Sequence, residues 1–236
     1  MLILDDCFNY LKNIKNDSID LIITDPPYNI SKKSGFKNYS EEAKYELKSK
    51  YGTISLDFGY WDKEIDLDLL FSEYHRVLKK SGTAIIFYDI WKSSNIKDSA
   101  LKYKFKQPRI GQWLKNNPVP INSKVNYLSN CTEYFFTFVK GKNPTFNSEY
   151  DNGIYKYPLC HGHERLEHPT QKPLGLIKDL IIKHSNIGET VLDTFSGTST
   201  TAIACIESER NYICIEKDEK YYKISKDRID NHKQLF

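Results

Sequence analysis

The run Ile19-Asp20-Leu21-Ile22-Ile23-Thr24 does most to limit what this chain can fold into. It is short, apolar and rich in β-branched residues, the composition of a strand buried in a parallel sheet. Asp25 follows, and Pro26-Pro27 removes two backbone donors, so the strand must stop there. The rest of the chain alternates in the same style. From Leu67 the apolar positions Leu67, Leu70, Phe71, Tyr74, Val77 and Leu78 have helical spacing, closed by Ser81-Gly82. Strands are predicted over Thr83 to Tyr88 and Thr132 to Lys140. Pro173 opens a second helix, with Leu174, Ile177 and Ile181 on one face, ending near Asn186 to Gly188. Thr190-Val191-Leu192 is a strand, Ser196 to Ser199 a small-residue turn, and Thr200 to Ile206 the start of a helix. A strand from Tyr212 ends at Glu216, and a final amphipathic helix carries Tyr221, Tyr222, Ile224 and Ile229. This alternation predicts an α/β fold, a mainly parallel sheet with helices on both faces.

The 236 residues suit one domain with a substantial core, read as a single unit over 1–236. At 39% hydrophobic and 28% charged, the composition excludes a disordered chain. No apolar run reaches the roughly 18 residues of a membrane span, and the first residues lack a signal-peptide pattern. The five cysteines are odd in number, widely spaced and without a CxxC pair, as expected of reduced thiols in a cytoplasmic protein. Net charge is +3, but residues 102–142 hold eight basic residues against one acid, Glu133. Tyr103, Phe105, Trp113 and Tyr127 are interleaved with them. Charge with stacking surface suits a nucleic-acid groove, and equally a solvated loop region. Residues 31–60 are polar and weakly periodic, so they read as a functional or mobile loop.

Ligands of open α/β sheets bind at the C-terminal ends of the strands, where Asp25 stands. An exocyclic amino group on a nucleobase is a poor nucleophile, because its lone pair is delocalised into the ring. Acceptors on the Asp25 carboxylate and the Pro26 carbonyl would hold both N–H hydrogens and favour a tetrahedral nitrogen. Pro27 stiffens the turn, and Tyr28 offers a flat face for stacking. A base inside a duplex must be flipped out to reach such a pocket. Taken alone, Asp25-Pro26-Pro27-Tyr28 is as readily an ordinary turn.

A second motif weighs against the turn. Asp193-Thr194-Phe195-Ser196-Gly197-Thr198-Ser199-Thr200 follows a strand and opens a helix. Glu216 ends the next strand, close to the ~20-residue gap between a Rossmann glycine turn and its ribose-binding acid. One glycine among several hydroxyl residues is not the G-x-G-x-x-G of a dinucleotide site. It suits a ligand without a pyrophosphate, and S-adenosylmethionine is one.

With both motifs in place, the chain resembles the amino-methylating DNA methyltransferases of the bacterial type II modification-methylase kind. It is similar to their permuted β group, in which the catalytic motif precedes the cofactor motif. The resemblance implies a Rossmann-like S-adenosylmethionine-dependent fold. It divides the chain into a catalytic half (1–140), a short target-recognition segment (141–167) and a cofactor half (168–236). Asp25-Pro26-Pro27-Tyr28-Asn29-Ile30 matches the catalytic motif, with Trp61-Asp62 closing the loop after it. Asp5-Asp6-Cys7 matches a segment that implies Asp6 and Cys7 beside the cofactor's adenine. His168-Pro169-Thr170-Gln171-Lys172-Pro173 matches the segment before the cofactor half, implying Lys172, with Thr170, at the methionine carboxylate. Asp193, Phe195, Ser196 and Gly197, with Thr198, Thr200 and Asp25, complete the implied cofactor contacts, and Glu216 holds the ribose. Thr194 replaces the family's usual proline and Ser199 its usual second glycine.

The resemblance also implies double-stranded DNA as partner, met by Lys32, Lys33, Arg109, Lys115, Asn117 and Lys124. A homodimer and a cognate restriction endonuclease are further expected partners. A tetrapeptide beginning with Asp usually accompanies N6-adenine methylation in this family, with N4-cytosine as the alternative. A catalytically impaired DNA-binding or regulatory subunit is the reading of another class, which Ser199 alone supports. Methylation of RNA or protein is disfavoured by the motif order. Cys160, His161, His163 and His168 cluster in sequence, but their spacing fits no standard zinc frame and no metal is expected.

Overall fold

The computed structural model describes residues 1–27, 65–118, 131–166, 168 and 170–233. The chain divides into two compact units, Met1–Pro26 with Asp66–Phe236, and Pro27–Ile65. The second lies almost wholly outside the described residues, and with it the predicted loop 31–60, Tyr28, Lys32, Lys33 and Trp61-Asp62. Lys124 and Tyr127 also lie outside them.

The first unit is built on one eight-stranded sheet. Its strands are β1 (Leu2–Leu4), β2 (Ile19–Thr24), β3 (Leu78–Phe87), β4 (Phe105–Lys115), β5 (Thr132–Lys140), β6 (Ile154–Tyr157), β7 (Thr190–Asp193) and β8 (Asn211–Glu216). The order is β1-β8-β7-β2-β3-β5-β4-β6. All pairs are parallel except β3 with β5 and β5 with β4. The helices are α1 (Cys7–Leu11), α2 (Leu67–Val77), α3 (Ser93–Lys102), α4 (Leu174–His184), α5 (Thr200–Glu207) and α6 (Glu219–Lys233). The expected mainly parallel α/β sheet is therefore present.

Strand β2 lies at the centre because both its faces are apolar. Leu21 and Ile23 join a core with Val191 of β7, Ile85 and Phe87 of β3, and Leu176, Ile177, Leu180 and Ile181 of α4. On the other face, Tyr74 of α2 reaches Thr194 just beyond β7. Phe71 of α2 packs edge-on against Phe105 and Phe138 at 5.5 and 5.3 Å, a favoured aromatic geometry. Helices thus cover both faces, as a two-sided apolar strand demands.

Three elements differ from the sequence reading. Helix α2 ends at Val77, and Leu78 already begins β3, in register with Ile19. The sheet takes Leu78 because the register shift between Ile19 and Leu21 accommodates the extra residues 79–82. Gly82 fits there because a Cβ would come within 3.0 Å of the Asp20 carbonyl oxygen. The described part of the basic stretch, 102–118 and 131–142, is mostly sheet, since β4 pairs antiparallel with β5 over most of its length. Acids brought in by the fold also reduce its surplus charge. Lys102 pairs with Asp68 and Lys140 with Asp17 at 2.7 Å, while Lys115 pairs with the stretch's own Glu133 at 2.9 Å. Finally, β6 within 141–167 is a sheet-edge strand, fastened by Trp113 Nε1 donating to the Tyr157 carbonyl at 2.8 Å.

Candidate active site

The C-terminal ends of the parallel strands form one edge, and the sequence places an acid at most of them. Asp5 and Asp6 follow β1, Glu216 closes β8, Asp193 closes β7 and Asp25 follows β2. Because β5 runs antiparallel to β3, with Phe87 opposite Phe135, the start of β5 brings Glu133 to this same edge.

Asp25 is held by Lys172, whose ammonium donates to Oδ2. The side chain is 22% exposed. Its Oδ1, however, is buried and finds no hydrogen-bond partner among the described residues. Burial pushes the carboxyl up, Lys172 pulls it back only in part, and Glu133 adds to the rise. Pro26 is buried behind it. Lys172 is itself 8% exposed. Its Nζ also lies 3.3 Å from Glu133 Oε2, 3.5 Å from the Thr170 carbonyl and 5.1 Å from the Phe87 ring centroid. The residue expected at the methionine carboxylate thus has its charge committed to two protein carboxylates in this structure.

Asp193 sits one strand away and is fully engaged. Oδ1 accepts from Thr24 Oγ1 at 2.9 Å and from the Phe195 amide at 3.1 Å, and Oδ2 accepts from Thr201 Oγ1 at 2.6 Å. Burial still pushes its carboxyl up to about 6. Thr194, where the family has proline, uses its hydroxyl to meet Tyr74 and Thr24, the latter at 3.3 Å.

The turn that follows wraps back on Glu216. The Gly197 amide donates to Glu216 Oε2 at 2.7 Å, and the Asp218 amide to Oε1 at 2.8 Å. Burial pushes this carboxyl up to about 7. Gly197 has φ +52, a left-handed conformation that glycine adopts freely, and a Cβ there would meet His168 Nε2 at 3.2 Å. Ser199 also lies in the left-handed region, at φ 55, a conformation glycine adopts more freely. Its side chain is fully buried, with Oγ 3.4 Å from Ser196 Oγ. Thr198 and Thr200 are buried too, and Thr200 Oγ1 accepts from Arg228 at 3.1 Å.

On the far side of Glu216, β1 runs beside β8 with Leu4 in register with Glu216. Asp6 caps α1 by accepting from the Phe8 amide at 3.0 Å, and Cys7 is buried below it. Asp6, Cys7, Glu216, Phe195 to Gly197 and Asp193 therefore share one stretch of the sheet edge, with Asp25 next along it. Thr170 and His168 lie over this stretch: the Thr170 amide donates to His168 Nδ1 at 3.3 Å, and the His168 ring stands 4.5 Å from that of Tyr221. Burial first, then Lys172, holds His168 down to about 4, so it is neutral at pH 7. The Cys160 thiol is buried and donates to the Gln171 carbonyl at 3.5 Å. Among the described residues no group of His, Cys, Asp or Glu is arranged to hold a metal ion.

Of the residues expected to meet nucleic acid, Arg109 is exposed on β4, Lys115 is paired to Glu133, and Asn117 Oδ1 accepts from the Leu159 amide at 2.7 Å. Sequence reasoning assigned no role to Glu133. Its signal was present as the one acid in a basic stretch at the start of a predicted strand. Its meaning depended on β5 being antiparallel, which composition does not reveal.

Residues 19–227 match the model of a DNA methylase family, N6_N4_Mtase. The chain is similar to the Type II methyltransferase M2.MboI of Moraxella bovis, 29% identical over 229 residues, covering 88% of this chain and 79% of that protein. It is likewise 29% identical to the DNA adenine methyltransferase YhdJ of Escherichia coli K12, covering 88% of this chain and 75% of that one. Among solved structures, the M1.HpyAVI–SAM complex superposes with a TM-score of 0.73 at 28% identity, covering 98% of each chain.

Proposed function

The chain belongs to the N6/N4 DNA methylase family, and from that premise we propose that it transfers a methyl group from S-adenosylmethionine to the N6 amino group of adenine, flipped out of duplex DNA, at a specific site. The observation that carries this reading is the Asp25 carboxylate: a strand-end acid with one oxygen held by Lys172 and the other buried and open. A buried acceptor without a partner is costly unless a ligand donates to it. An exocyclic amino group does so.

The cofactor fits the residues beside Asp25. Asp6 and Cys7 after β1 would flank its adenine, Glu216 its ribose, and the turn from Phe195 to Gly197, with Thr198, Thr200, Asp193 and Thr170, its remaining parts. The glycine turn at φ +52, held on Glu216, gives the backbone the close approach such a ligand needs. When bound, S-adenosylmethionine supplies a methyl group already activated on a sulfonium. The protein's own task is positioning. Asp25 Oδ1 accepts one amino hydrogen, and the Pro26 carbonyl the other. Tyr28 is assigned the stacking face for the base. As the nitrogen gains its methyl group it becomes cationic, and Asp25, raised by burial, takes the released proton.

The choice of adenine rests on the Asp that opens the tetrapeptide and on the adenine named in YhdJ. N4-cytosine is the alternative, and PvuII methyltransferase, named as cytosine-N4-specific, shares the fold with a TM-score of 0.71. Target recognition is assigned to 141–167 with Arg109, Asn117, Lys32, Lys33 and Lys124. Self-association as a homodimer and pairing with a restriction endonuclease complete the reading. Expression in a host free of DNA methylation, followed by mapping of modified bases, tests it. One sequence context carrying N6-methyladenine is expected; N4-methylcytosine alone would replace the base assignment, and unmodified DNA would refute the reading.

A further inference from the structure

The side chains of Lys115, Glu133, Lys172 and Asp25 form an unbroken chain of alternating charge. Lys115 Nζ stands 2.9 Å from Glu133 Oε1, the other Glu133 oxygen lies 3.3 Å from Lys172 Nζ, and Lys172 donates to Asp25 Oδ2. Four separate places in the fold contribute: β4, the antiparallel strand β5, the segment ahead of α4 and the end of β2. Two ammoniums and two carboxylates cancel, so the chain adds no net charge to the edge where a substrate arrives. Lys115 is 11% exposed and Lys172 8%, so water competes little for them.

We propose that Glu133, braced by Lys115, is a positioning residue for methyl transfer: it anchors the Lys172 ammonium so that Lys172 occupies one oxygen of Asp25 and leaves the other aimed at the substrate's amino group. The proposal rests on the assignment of Asp25 as the group that holds that amino group. A lysine side chain has four rotatable carbons and a point charge, so a single carboxylate would not fix its place. Glu133 supplies the second anchor, and the Thr170 carbonyl at 3.5 Å and the face of Phe87 fill the remaining directions. Burial alone would push Glu133 up, but Lys172 and Lys115 outweigh it and hold it below the usual carboxylate range. Glu133 therefore stays charged throughout the working pH range, as an anchor must.

The chain also gives a signature that mere structural support would not. The charged groups that act on Asp25 are Lys172 ahead of α4, Glu133 from β5 with Lys115 of β4 behind it, and Asp193 from β7. Glu133 itself raises the Asp25 carboxyl a little, but Lys172 lowers it more, so a variant that frees Lys172 from its anchor raises the Asp25 pKa, whereas one that leaves Lys172 in place lowers it. If transfer requires the Asp25 carboxylate, the acid limb of the pH–rate profile moves up in Glu133→Gln and, to a smaller extent, in Lys115→Met, which removes the brace behind Glu133.

The test measures kcat, KM and pH–rate profiles at saturating duplex DNA and S-adenosylmethionine for wild type, Glu133→Gln, Glu133→Asp, Lys115→Met and Asp25→Asn. Glu133→Gln is expected to lose kcat by about a hundredfold, the scale for a catalytic group displaced by about 1 Å, with KM for S-adenosylmethionine nearly unchanged. Glu133→Asp recovers part of that loss and part of the upward limb shift. A Glu133→Gln enzyme with wild-type kcat and an unmoved acid limb overturns the proposal. So does a Glu133→Gln chain that no longer binds S-adenosylmethionine, or an acid limb that moves down in Glu133→Gln. Full turnover by Asp25→Asn instead overturns the underlying assignment of Asp25, whatever the Glu133 variants do.

Discussion

Asp25 and Asp193 close neighbouring parallel strands, β2 and β7, and burial raises both carboxyls. They differ in what the protein does with their oxygens. Asp193 spends both on its own chain, accepting from Thr24, Phe195 and Thr201, and so ties the end of β2 to the turn that opens α5. Asp25 gives one oxygen to Lys172 and keeps the other buried without a partner among the described residues. Two acids of one type at equivalent places thus serve opposite ends. The satisfied one ties the fold together beside the proposed cofactor turn, and the open one is where the proposed reading places the substrate's amino group. Hydrogen bonds from Thr201, Phe195 and Thr24 offset part of the rise at Asp193, and Lys172 alone offsets part of it at Asp25.

The contrast breaks most sharply on substitution. Asp25→Ala is expected to lower kcat by at least 10²–10³-fold, the range for removing one preorganised polar group from a transition state. Stability and cofactor affinity should stay near wild type, which denaturant titration and S-adenosylmethionine binding would check. Asp193→Ala should do the reverse first. It leaves two hydroxyls and an amide without their acceptor, at about 1–3 kcal/mol for each buried group left unsatisfied, so the denaturation midpoint falls markedly. Equal destabilisation by the two variants would erase the distinction.

A pH comparison sharpens it further. The folded values of Asp193, about 6, and Glu216, about 7, lie above the ordinary values of 3.8 and 4.5. A carboxyl raised on folding binds more protons in the native state, so its contribution to stability is full below its unfolded value and is lost as pH rises through its folded one. These two groups therefore make stability fall between about pH 4 and pH 7. In Glu216→Gln that slope should flatten while S-adenosylmethionine affinity drops. An unchanged slope and affinity would remove Glu216 from the cofactor site.

Much of this contrast could be read before the structure, and the reason is local. Ile19 to Thr24 and Thr190 to Leu192 are β-branched runs cut off by an acid, so strand ends and their carboxylates follow from adjacent residues alone. The turn at Gly197 and the acid at Glu216 are short-range signals of the same kind. What stayed hidden depends on partners distant in sequence. That Asp193 is consumed by Thr24 and Thr201, that Lys172 turns to Asp25, and that Glu133 reaches Lys172 all require the strand order. Leu78 was read as the end of a helix because its spacing fits one, but the register with Ile19 claims it for the sheet. The basic stretch 102–142, read as a nucleic-acid groove or equally a solvated loop, showed its full surplus of charge because two of its neutralising acids, Asp17 and Asp68, lie far away in sequence.

The smallest expected effect concerns Ser199. Its left-handed backbone costs about 1–2 kcal/mol relative to an ordinary conformation, and glycine relieves that while losing about 0.5–1 kcal/mol to unfolded-state entropy. Ser199→Gly should therefore shift stability by no more than about 1 kcal/mol and leave turnover intact. A large gain in S-adenosylmethionine affinity would show that the serine crowds the cofactor, and would revive the reading of an impaired enzyme.

The most direct measurement of the central claim is mass spectrometry of nucleosides. Duplex DNA is incubated with the protein and isotopically methyl-labelled S-adenosylmethionine, then digested. Labelled N6-methyldeoxyadenosine from wild type, and none from an equally well-folded Asp25→Ala protein, is the predicted result. Labelled nucleoside in equal yield from both proteins would contradict it, because the open oxygen of Asp25 would then have no part in the transfer.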